Sequence, residues 1–234
     1  MKPLLLTFSG VDGAGKSTQI ENLRGFLEAR GLGTRLLAFW DDVVVLSRFR
    51  EGFVHRVFKS ERGIGAPGKP VNRRDKNIHG WHVNLARHGL YLLDALNLRR
   101  VVAHARRSGA HVVIMDRYIY DELANLSLHN PLTRAFVRAV AALSPRPDIG
   151  YALDADPELA RARKPEYPLE FLHTSRESYL RLAKMLGITV IPACSIEQAA
   201  AAVEQSFVRL WPSNWDEAQR KVDQVSDPEL PIAG

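Results

Sequence analysis

The clearest chemical feature of the chain is a glycine-rich segment close to its first residue. Residues 10–17 read GVDGAGKS and match the pattern G-x-x-x-x-G-K-[ST] through Gly10, Gly15, Lys16 and Ser17. In this pattern the glycines let backbone N–H groups point at phosphate oxygens, and the lysine reaches the outer phosphates. The hydroxyl is placed to ligate Mg²⁺. The segment therefore predicts a loop that binds the phosphates of a nucleotide.

The residues around this loop predict the two elements that it requires. Residues 4–8 form a short apolar run typical of a buried strand, while Ile20, Leu23 and Leu27 recur at helical spacing until Gly31. A strand before the loop and a helix after it are the setting in which this pattern binds phosphate. A functional loop is therefore favoured over a chance match.

Acidic residues follow two of the other predicted strands. The apolar run 111–115 leads to Asp116 and Arg117, and an earlier predicted strand leads to Asp41 and Asp42. Ligands of open parallel α/β sheets bind beyond the C-terminal ends of the strands. We therefore expect these side chains near a ligand, although the two consecutive acids could equally cap a helix that follows them.

Strands and helices alternate along the chain, which predicts an α/β fold with a parallel, doubly wound sheet. The predicted strands are residues 4–8, 34–39, 111–115, 149–153 and 189–191. The main predicted helices after the loop helix are residues 43–62, 81–107, 121–143, 169–186 and 195–210. A short helix is expected just after residue 156.

The long helix at residues 81–107 offers two candidate stripes. Its predicted core face consists of Leu85, Leu92, Leu93, Leu96, Val101 and Val102. A neighbouring polar stripe contains Tyr91, Asp94 and Asn97.

Charge is distributed unevenly over the 234 residues, whose formal net charge is +6. Residues 43–111 contain fourteen Lys and Arg against four acids, and the tail after Pro212 contains five acids and two bases. A basic segment suits polyanionic small substrates as well as nucleic acid. No nucleic-acid-binding signature accompanies it, so nucleic acid is not favoured as a partner. Within it, residues 63–77 predict a long loop that is either a charged turn or an anion-binding lid.

Length and composition indicate one domain with a tail. The chain is long enough for one α/β domain, at residues 1–211 with a basic insertion at about 43–80, and residues 212–234 read as a C-terminal tail. No segment has the features of a membrane span or signal peptide. A single cysteine, Cys194, agrees with a reducing compartment and predicts a cytoplasmic protein, with the thiol packed near a strand end.

Four segments, taken together, resemble the thymidylate kinase family of P-loop nucleoside monophosphate kinases. The resemblance covers residues 4 to about 210. The segments are VDGAGKSTQ at 11–19, MDRY at 115–118, the stretch from Pro147 to Arg163 that contains LDADPELARAR, and EFLHTSRESYLRLA at 170–183.

This resemblance implies a P-loop NTPase fold with five parallel strands, a short lid at about 161–168, ATP as donor, Mg²⁺, and a nucleoside monophosphate acceptor. It also leaves a homodimer open. The residues that would contact ATP are Gly10, Asp12, Gly13, Ala14, Gly15, Lys16, Ser17 and Thr18.

The resemblance also implies roles for individual residues around the transferred group. Asp12 is similar to the residue that approaches the acceptor sugar, and Arg117 to the arginine that clamps the acceptor phosphate. Asp116 would organise the water shell of Mg²⁺, which Ser17 would ligate. Arg163 and Arg161 are similar to lid arginines that stabilise the charge on the phosphoryl group during its transfer.

Several positions depart from the family pattern, so the sequence does not support specificity for thymine. Ser9 replaces a glutamate before the first loop glycine, and Asp41-Asp42 stand where an Arg-Glu-Pro motif is usual. After the DRY motif, Asp121 and Asn125 replace a serine and a tyrosine. The candidate acceptor contacts are Asp12, Asp41, Asp42, Tyr91, Asp94, Arg117, Asp121 and Asn125.

Two other functions remain open at this point. In deoxynucleoside kinases a carboxylate near the end of the second strand acts as general base on a hydroxyl, and Asp41 or Asp42 could do so here. Alternatively, the chain could be a regulatory protein that binds ATP as a signal. Retention of Lys16, Ser17, Asp116 and Arg163 favours an enzyme.

Overall fold

The computed structural model describes residues 2–45 and 81–210. Most of the predicted helix at 43–62, the loop at 63–77 and the tail at 212–234 lie outside the described residues, as does most of the basic insertion. Within the described ranges, no helix combines the length and the apolar character needed to cross a membrane.

A sheet of five parallel strands forms the centre of the fold, in the order β2-β3-β1-β4-β5. β1 lies in the middle and pairs with β3 on one side and β4 on the other, with Phe8 opposite both Asp116 and Tyr151. The strands are β1 Leu4–Gly10, β2 Thr34–Ala38, β3 Val112–Asp116, β4 Ile149–Leu153 and β5 Thr189–Ile191. The predicted α/β fold and its five parallel strands are confirmed.

Seven α-helices are found in the described residues. They are α1 Lys16–Glu28, α2 Trp81–Ala105, α3 Ile119–Leu123, α4 Pro131–Leu143, α5 Pro157–Arg163, α6 Leu169–Leu186 and α7 Ile196–Leu210.

The helix predicted at residues 121–143 is wrong in one respect, because the chain forms two helices there. The Asn130 side chain accepts a hydrogen bond from the Leu132 N–H at 2.9 Å, and Pro131 occupies the first turn of α4. An asparagine cap followed by proline starts a new helix at this point. This break turns the chain between α3, which follows the C-terminal end of β3, and α4.

Helices cover both faces of the sheet with separate apolar cores. One core joins α2, α3, α4 and α6 to β1, β2 and β3, and the other joins α1 and α7 to the opposite face. Because both faces are covered, the three inner strands β1, β3 and β4 are almost continuously apolar and buried, as expected of a parallel sheet. The C-terminal ends of β1 and β3 are thereby held side by side.

Two details of burial differ from the sequence predictions. Leu92, Leu93 and Leu96 are 39%, 48% and 46% exposed, so the predicted core face of α2 is wrong for these three residues. Among residues 87–105 of α2, for which burial is described, the buried residues are Tyr91, Asp94, Ala95, Leu98, Val102 and Ala105. Cys194, predicted to be packed, is exposed.

Candidate active site

The loop between β1 and α1 turns through glycines with positive φ. Gly13 has φ 84°, and a Cβ atom placed on it would lie 2.3 Å from the carbonyl oxygen of Ala160 in α5. Gly15, with φ 87°, is the residue before α1, and no side chain caps the first turn of that helix. The close approach at Gly13 fixes the loop against α5, while the positive end of α1 remains available for an anion.

Lys16 lies at the bottom of this loop with only 7% of its surface exposed. Its Nζ donates hydrogen bonds to the carbonyl oxygens of Gly10 and Val11, both at 2.9 Å. Burial, reinforced by the charge of Arg117, lowers the pKa of Lys16 to about 8, although nearby carboxylates including Asp121 oppose the shift. A buried ammonium group therefore faces the place where phosphate would bind.

Oxygen ligands suitable for Mg²⁺ lie at the same edge of the sheet. Ser17 and Thr18 are exposed on the first turn of α1, and Asp116 ends β3 next to β1. The described residues contain no cluster of three or more His, Cys, Asp or Glu that could hold a metal. This set fits Mg²⁺, which binds through one or two protein oxygens together with substrate phosphates and water.

Asp12 of the loop and Arg117, which follows β3, lie in contact with each other. Arg117 Nη2 contacts Asp12 Oδ1, and the backbone N–H of Arg117 donates to Phe8 O at 2.9 Å. Burial opposes ionisation of Asp12, but Arg117, Lys16 and Lys164 together hold its pKa below the usual value. Asp12 is therefore a carboxylate and Arg117 a fixed cation beside the phosphate loop.

Helix α5, which carries the two predicted lid arginines, packs directly against the loop. Arg163 Nη1 is 3.4 Å from Gly13 O and is exposed, so its guanidinium is near the loop without being enclosed. Arg161 is partly exposed and makes no hydrogen bond or ion pair within residues 2–45 and 81–210. Both predicted lid arginines thus lie on α5, and only Arg163 contacts the loop.

Two charged residues that the sequence did not single out connect the lid to the loop. Lys164 Nζ is 3.6 Å from Asp12 Oδ1 and 3.2 Å from Glu166 Oε1. Glu166 is 2% exposed. The only sequence hint was the position of Lys164 directly after the predicted arginines, because its partner Asp12 is distant in the chain.

Asp121 and Asn125 lie behind Arg117. Asp121 is 4% exposed and its carboxylate accepts several hydrogen bonds, whereas Asn125 Nδ2 donates to the backbone oxygen of Asp121 at 2.9 Å. Direct contact between Asp121 and an acceptor stays a prediction, and it would require some of these bonds to break.

The remaining candidates lie on β2 and α2. Asp41 and Asp42 are exposed in a π-helical turn, Phe39–Val43, and Asp42 Oδ2 accepts a hydrogen bond from Ala38 N at 2.7 Å. Asp94 is fully buried, with Oδ1 accepting from Val45 N at 2.9 Å.

Tyr91 is likewise buried, and its hydroxyl accepts a hydrogen bond from Arg87 Nε at 2.7 Å. Asp94 thus holds the segment after β2, while Tyr91 packs in the core. Their contacts with an acceptor stay predictions.

This fold and loop define the class of protein as a P-loop NTPase fold, and known proteins of similar sequence narrow that class. The chain is 31% identical over 227 residues to a thymidylate kinase of Bifidobacterium longum (strain DJO10A), an alignment that covers 90% of this chain and all of that protein. It is 27% identical over 185 residues to a probable thymidylate kinase of Methanosphaera stadtmanae, covering 77% of this chain and 84% of that one. No protein-family model matches the chain.

Solved structures show the same fold. Thymidylate kinase from Ehrlichia chaffeensis superimposes with a TM-score of 0.53 at 18% identity, covering 88% of this chain and 99% of that one. Thymidylate kinase from Candida albicans gives 0.57 at 16% identity, covering 89% and 92%. The chain belongs to the thymidylate kinase family, and it is a nucleoside monophosphate kinase that uses ATP and Mg²⁺.

Proposed function

We propose that the chain transfers the γ-phosphoryl group of ATP to dTMP or a closely related nucleoside monophosphate. The observation that carries this proposal is the position of Arg117 beside Asp12 and the phosphate loop. An arginine fixed there can hold a second phosphate against the first, which phosphoryl transfer requires. Similarity to thymidylate kinases supports the choice of acceptor.

On the donor side, the loop backbone, Lys16 and the first turn of α1 would bind the phosphates of ATP. Ser17 would ligate Mg²⁺ and Asp116 would orient its water shell. Mg²⁺, when bound, neutralises charge that builds up on the phosphate oxygens. Lys16, buried beneath the loop, adds a positive charge that little solvent screens.

On the acceptor side, Arg117 would bind the acceptor phosphate and Asp12 would face the sugar. A phosphate monoester has its second pKa near 6, so it is already a nucleophile at neutral pH and needs no general base. The site therefore works by positioning and charge neutralisation. Arg163, and Arg161 once turned inward, would stabilise the charge on the transferring group.

A specific contact disfavours the alternative of a hydroxyl acceptor. Asp42 is one of the two candidate bases. One of its carboxylate oxygens accepts a hydrogen bond from the Ala38 N–H, so this side chain stabilises the turn after β2. Asp41 is exposed to water rather than enclosed near the loop. Neither carboxylate has the enclosed setting expected of a base that must take a proton from an alcohol.

We also propose that the chain forms a homodimer and works in the cytoplasm. Support for the dimer comes from Leu92, Leu93 and Leu96, which expose an apolar stripe along α2. A second copy of α2 could cover this stripe. Support for the location comes from the single cysteine.

The test is an ADP-release assay with ATP, Mg²⁺ and a panel of acceptors: dTMP, dUMP, the other nucleoside monophosphates, thymidine, and no acceptor. We expect turnover with monophosphates, highest for dTMP or a near relative, and none with thymidine. Preferred turnover of thymidine would contradict the proposal, as would ATP binding without acceptor-dependent turnover.

Two lysine variants provide the control for this assay. Lys16→Ala should abolish turnover because it removes the buried charge at the loop. Lys184→Ala, which removes an exposed lysine of α6, should leave turnover unchanged. Normal turnover by Lys16→Ala would refute the role of the loop.

A further inference from the structure

A buried carboxylate behind Arg117 receives hydrogen bonds from three separate elements. Asp121 Oδ2 accepts from Ser9 Oγ of β1 at 2.6 Å and from the Tyr118 backbone N–H at 2.9 Å. Asp121 Oδ1 accepts from Tyr179 Oη of α6 at 2.9 Å and lies 3.5 Å from Arg117 Nη1. Burial and the charge of Asp121 raise the pKa of Tyr179, which keeps this hydroxyl protonated as a donor.

Arg117 itself has an unusual backbone conformation. Its φ is 65°, and it is the one non-glycine residue with positive φ among those that the structure describes. Such a conformation costs free energy and persists where surrounding contacts fix it. The contacts here are the Arg117 N–H to Phe8 O, the guanidinium to Asp12, and the guanidinium to Asp121.

The two carboxylates that contact the Arg117 guanidinium, Asp12 and Asp121, differ in their surroundings. Asp12 is partly exposed, with 17% of its side chain accessible, and it stands on the loop where substrates bind. Asp121 is nearly fully buried, and its other bonds go to β1, the start of α3, and α6. One partner can therefore respond to substrate, while the other is anchored to the body of the protein.

We propose that Asp121 is a positioning residue, which holds the Arg117 guanidinium at the place where the acceptor phosphate binds. This inference rests on the proposed role of Arg117 in acceptor binding. On this proposal Asp121 acts through Arg117, in place of the direct contact with the acceptor that the sequence predicts. Through Tyr179 it also ties that place to α6, the helix that follows the lid.

The same pair accounts for two departures from the family pattern. The resembled pattern has glutamate before the first loop glycine and serine after the DRY motif, and this chain has Ser9 and Asp121 at these two positions. The two departing residues are hydrogen-bonded to each other at 2.6 Å. The carboxylate now belongs to the helix next to Arg117 instead of the strand.

The test compares steady-state kinetics of Asp121→Asn and wild type, using ATP and the best acceptor of the panel. The variant keeps the shape and removes the charge. We expect the KM for the acceptor to rise about 10- to 100-fold, the factor for loss of one charge-assisted hydrogen bond between Arg117 and the acceptor phosphate. The KM for ATP should change less than about twofold. An unchanged acceptor KM, or equal changes in both KM values, would overturn the proposal.

A reciprocal exchange separates positioning from simple loss of structure. Asp121→Ser alone should weaken acceptor binding, and adding Ser9→Asp should recover a large part of it by returning a carboxylate to the pair. Further damage from the second substitution would contradict the proposal. Asp148→Asn is the matched control, because Asp148 Oδ2 accepts from Leu5 N at the opposite end of β1, at 2.7 Å; its acceptor KM should match wild type.

Tyr179→Phe keeps the proposal testable if variants of Asp121 do not fold. It removes one of the donors and leaves the carboxylate in place, so we expect a smaller rise, of about 3- to 10-fold, confined to the acceptor KM. No rise in a folded Tyr179→Phe would count against the proposal. Turnover by the wild type tests the proposed kinase activity, and the variants test the positioning role of Asp121, so either proposal can fail without the other.

Discussion

Lys16 carries an ammonium group that is unfavourable to bury but is placed where it can bind the phosphates of ATP. Its ammonium group is buried, and the loop carbonyls of Gly10 and Val11 accept its hydrogen bonds. The low pKa, about 8, means that the free site has begun to lose its proton in mildly alkaline solution. A bound triphosphate places negative charge beside the group and must raise this pKa again.

The expected result is that ATP binding takes up protons near pH 8. With a pKa of about 8, uptake should be roughly half a proton per ATP at pH 8 and about a tenth at pH 7. ATP affinity should accordingly fall as the pH rises through 8. Calorimetry of MgATP binding in two buffers with different ionisation enthalpies measures the uptake. Equal proton uptake at pH 7 and pH 8, or proton release at pH 8, would refute the low pKa of Lys16.

Individual residues were predictable from sequence only where their chemistry is local. Lys16 and Ser17 belong to one contiguous motif, so their placement could be predicted. One partner of Asp121 is Ser9, 112 positions away, and one partner of Asp94 is Val45, 49 positions away. No spacing rule connects such pairs, because the fold alone brings them together.

At the scale of elements, the phosphate loop and the lid helix α5 share one close contact. Gly13 lies so near Ala160 that a single methyl group would collide with the backbone of α5. The small core made by Val11, Ala155, Ala160 and Leu172 continues this contact beneath the loop. The position of Arg163 over the loop therefore depends on the absence of a side chain at residue 13.

Gly13→Ala should lower both stability and turnover. Strain at positive φ and the collision with Ala160 together should cost about 2 kcal/mol or more of unfolding free energy, and displacement of α5 should reduce kcat. Urea unfolding and the ADP-release assay measure the two effects. Gly15→Ala, where φ is positive but no atom lies within 4 Å of the added methyl, isolates the strain.

Gly25→Ala is the control on the exposed side of α1. Nothing lies within 4 Å of its added methyl group and its backbone is helical, so the substitution should stabilise the protein by about 0.5–1 kcal/mol. Equal stability and turnover of Gly13→Ala and Gly25→Ala would contradict the proposed loop–lid contact.

Element boundaries were mostly predictable, whereas the buried face of α2 was not. The apolar runs of β1, β3 and β4 and the glycine or proline residues beside them mark their ends well. In α2, leucines and valines lie on several sides, so helical spacing alone allows more than one core face. Tertiary contacts decide the matter, since Asp94 and Asn97 turn inward to bond the segment after β2.

For the whole molecule, the outward stripe of α2 predicts self-association. Sedimentation of the wild type at micromolar concentration should show a dimer, and Leu93→Glu should shift it to monomer by placing a charge in the buried interface. Leu132→Glu, on an isolated leucine of α4 that is 80% exposed, should leave the dimer intact. A monomeric wild type, or a dimer that survives Leu93→Glu, would refute this prediction.

The ion pairs of Lys164 with Asp12 and Glu166 connect the predicted lid to the phosphate loop. Lys164 is 39% exposed, so dissolved ions can reach it and screen the attraction. We therefore expect nucleotide release to become faster as the salt concentration rises, because dissolved ions weaken the attraction between Lys164 and Asp12.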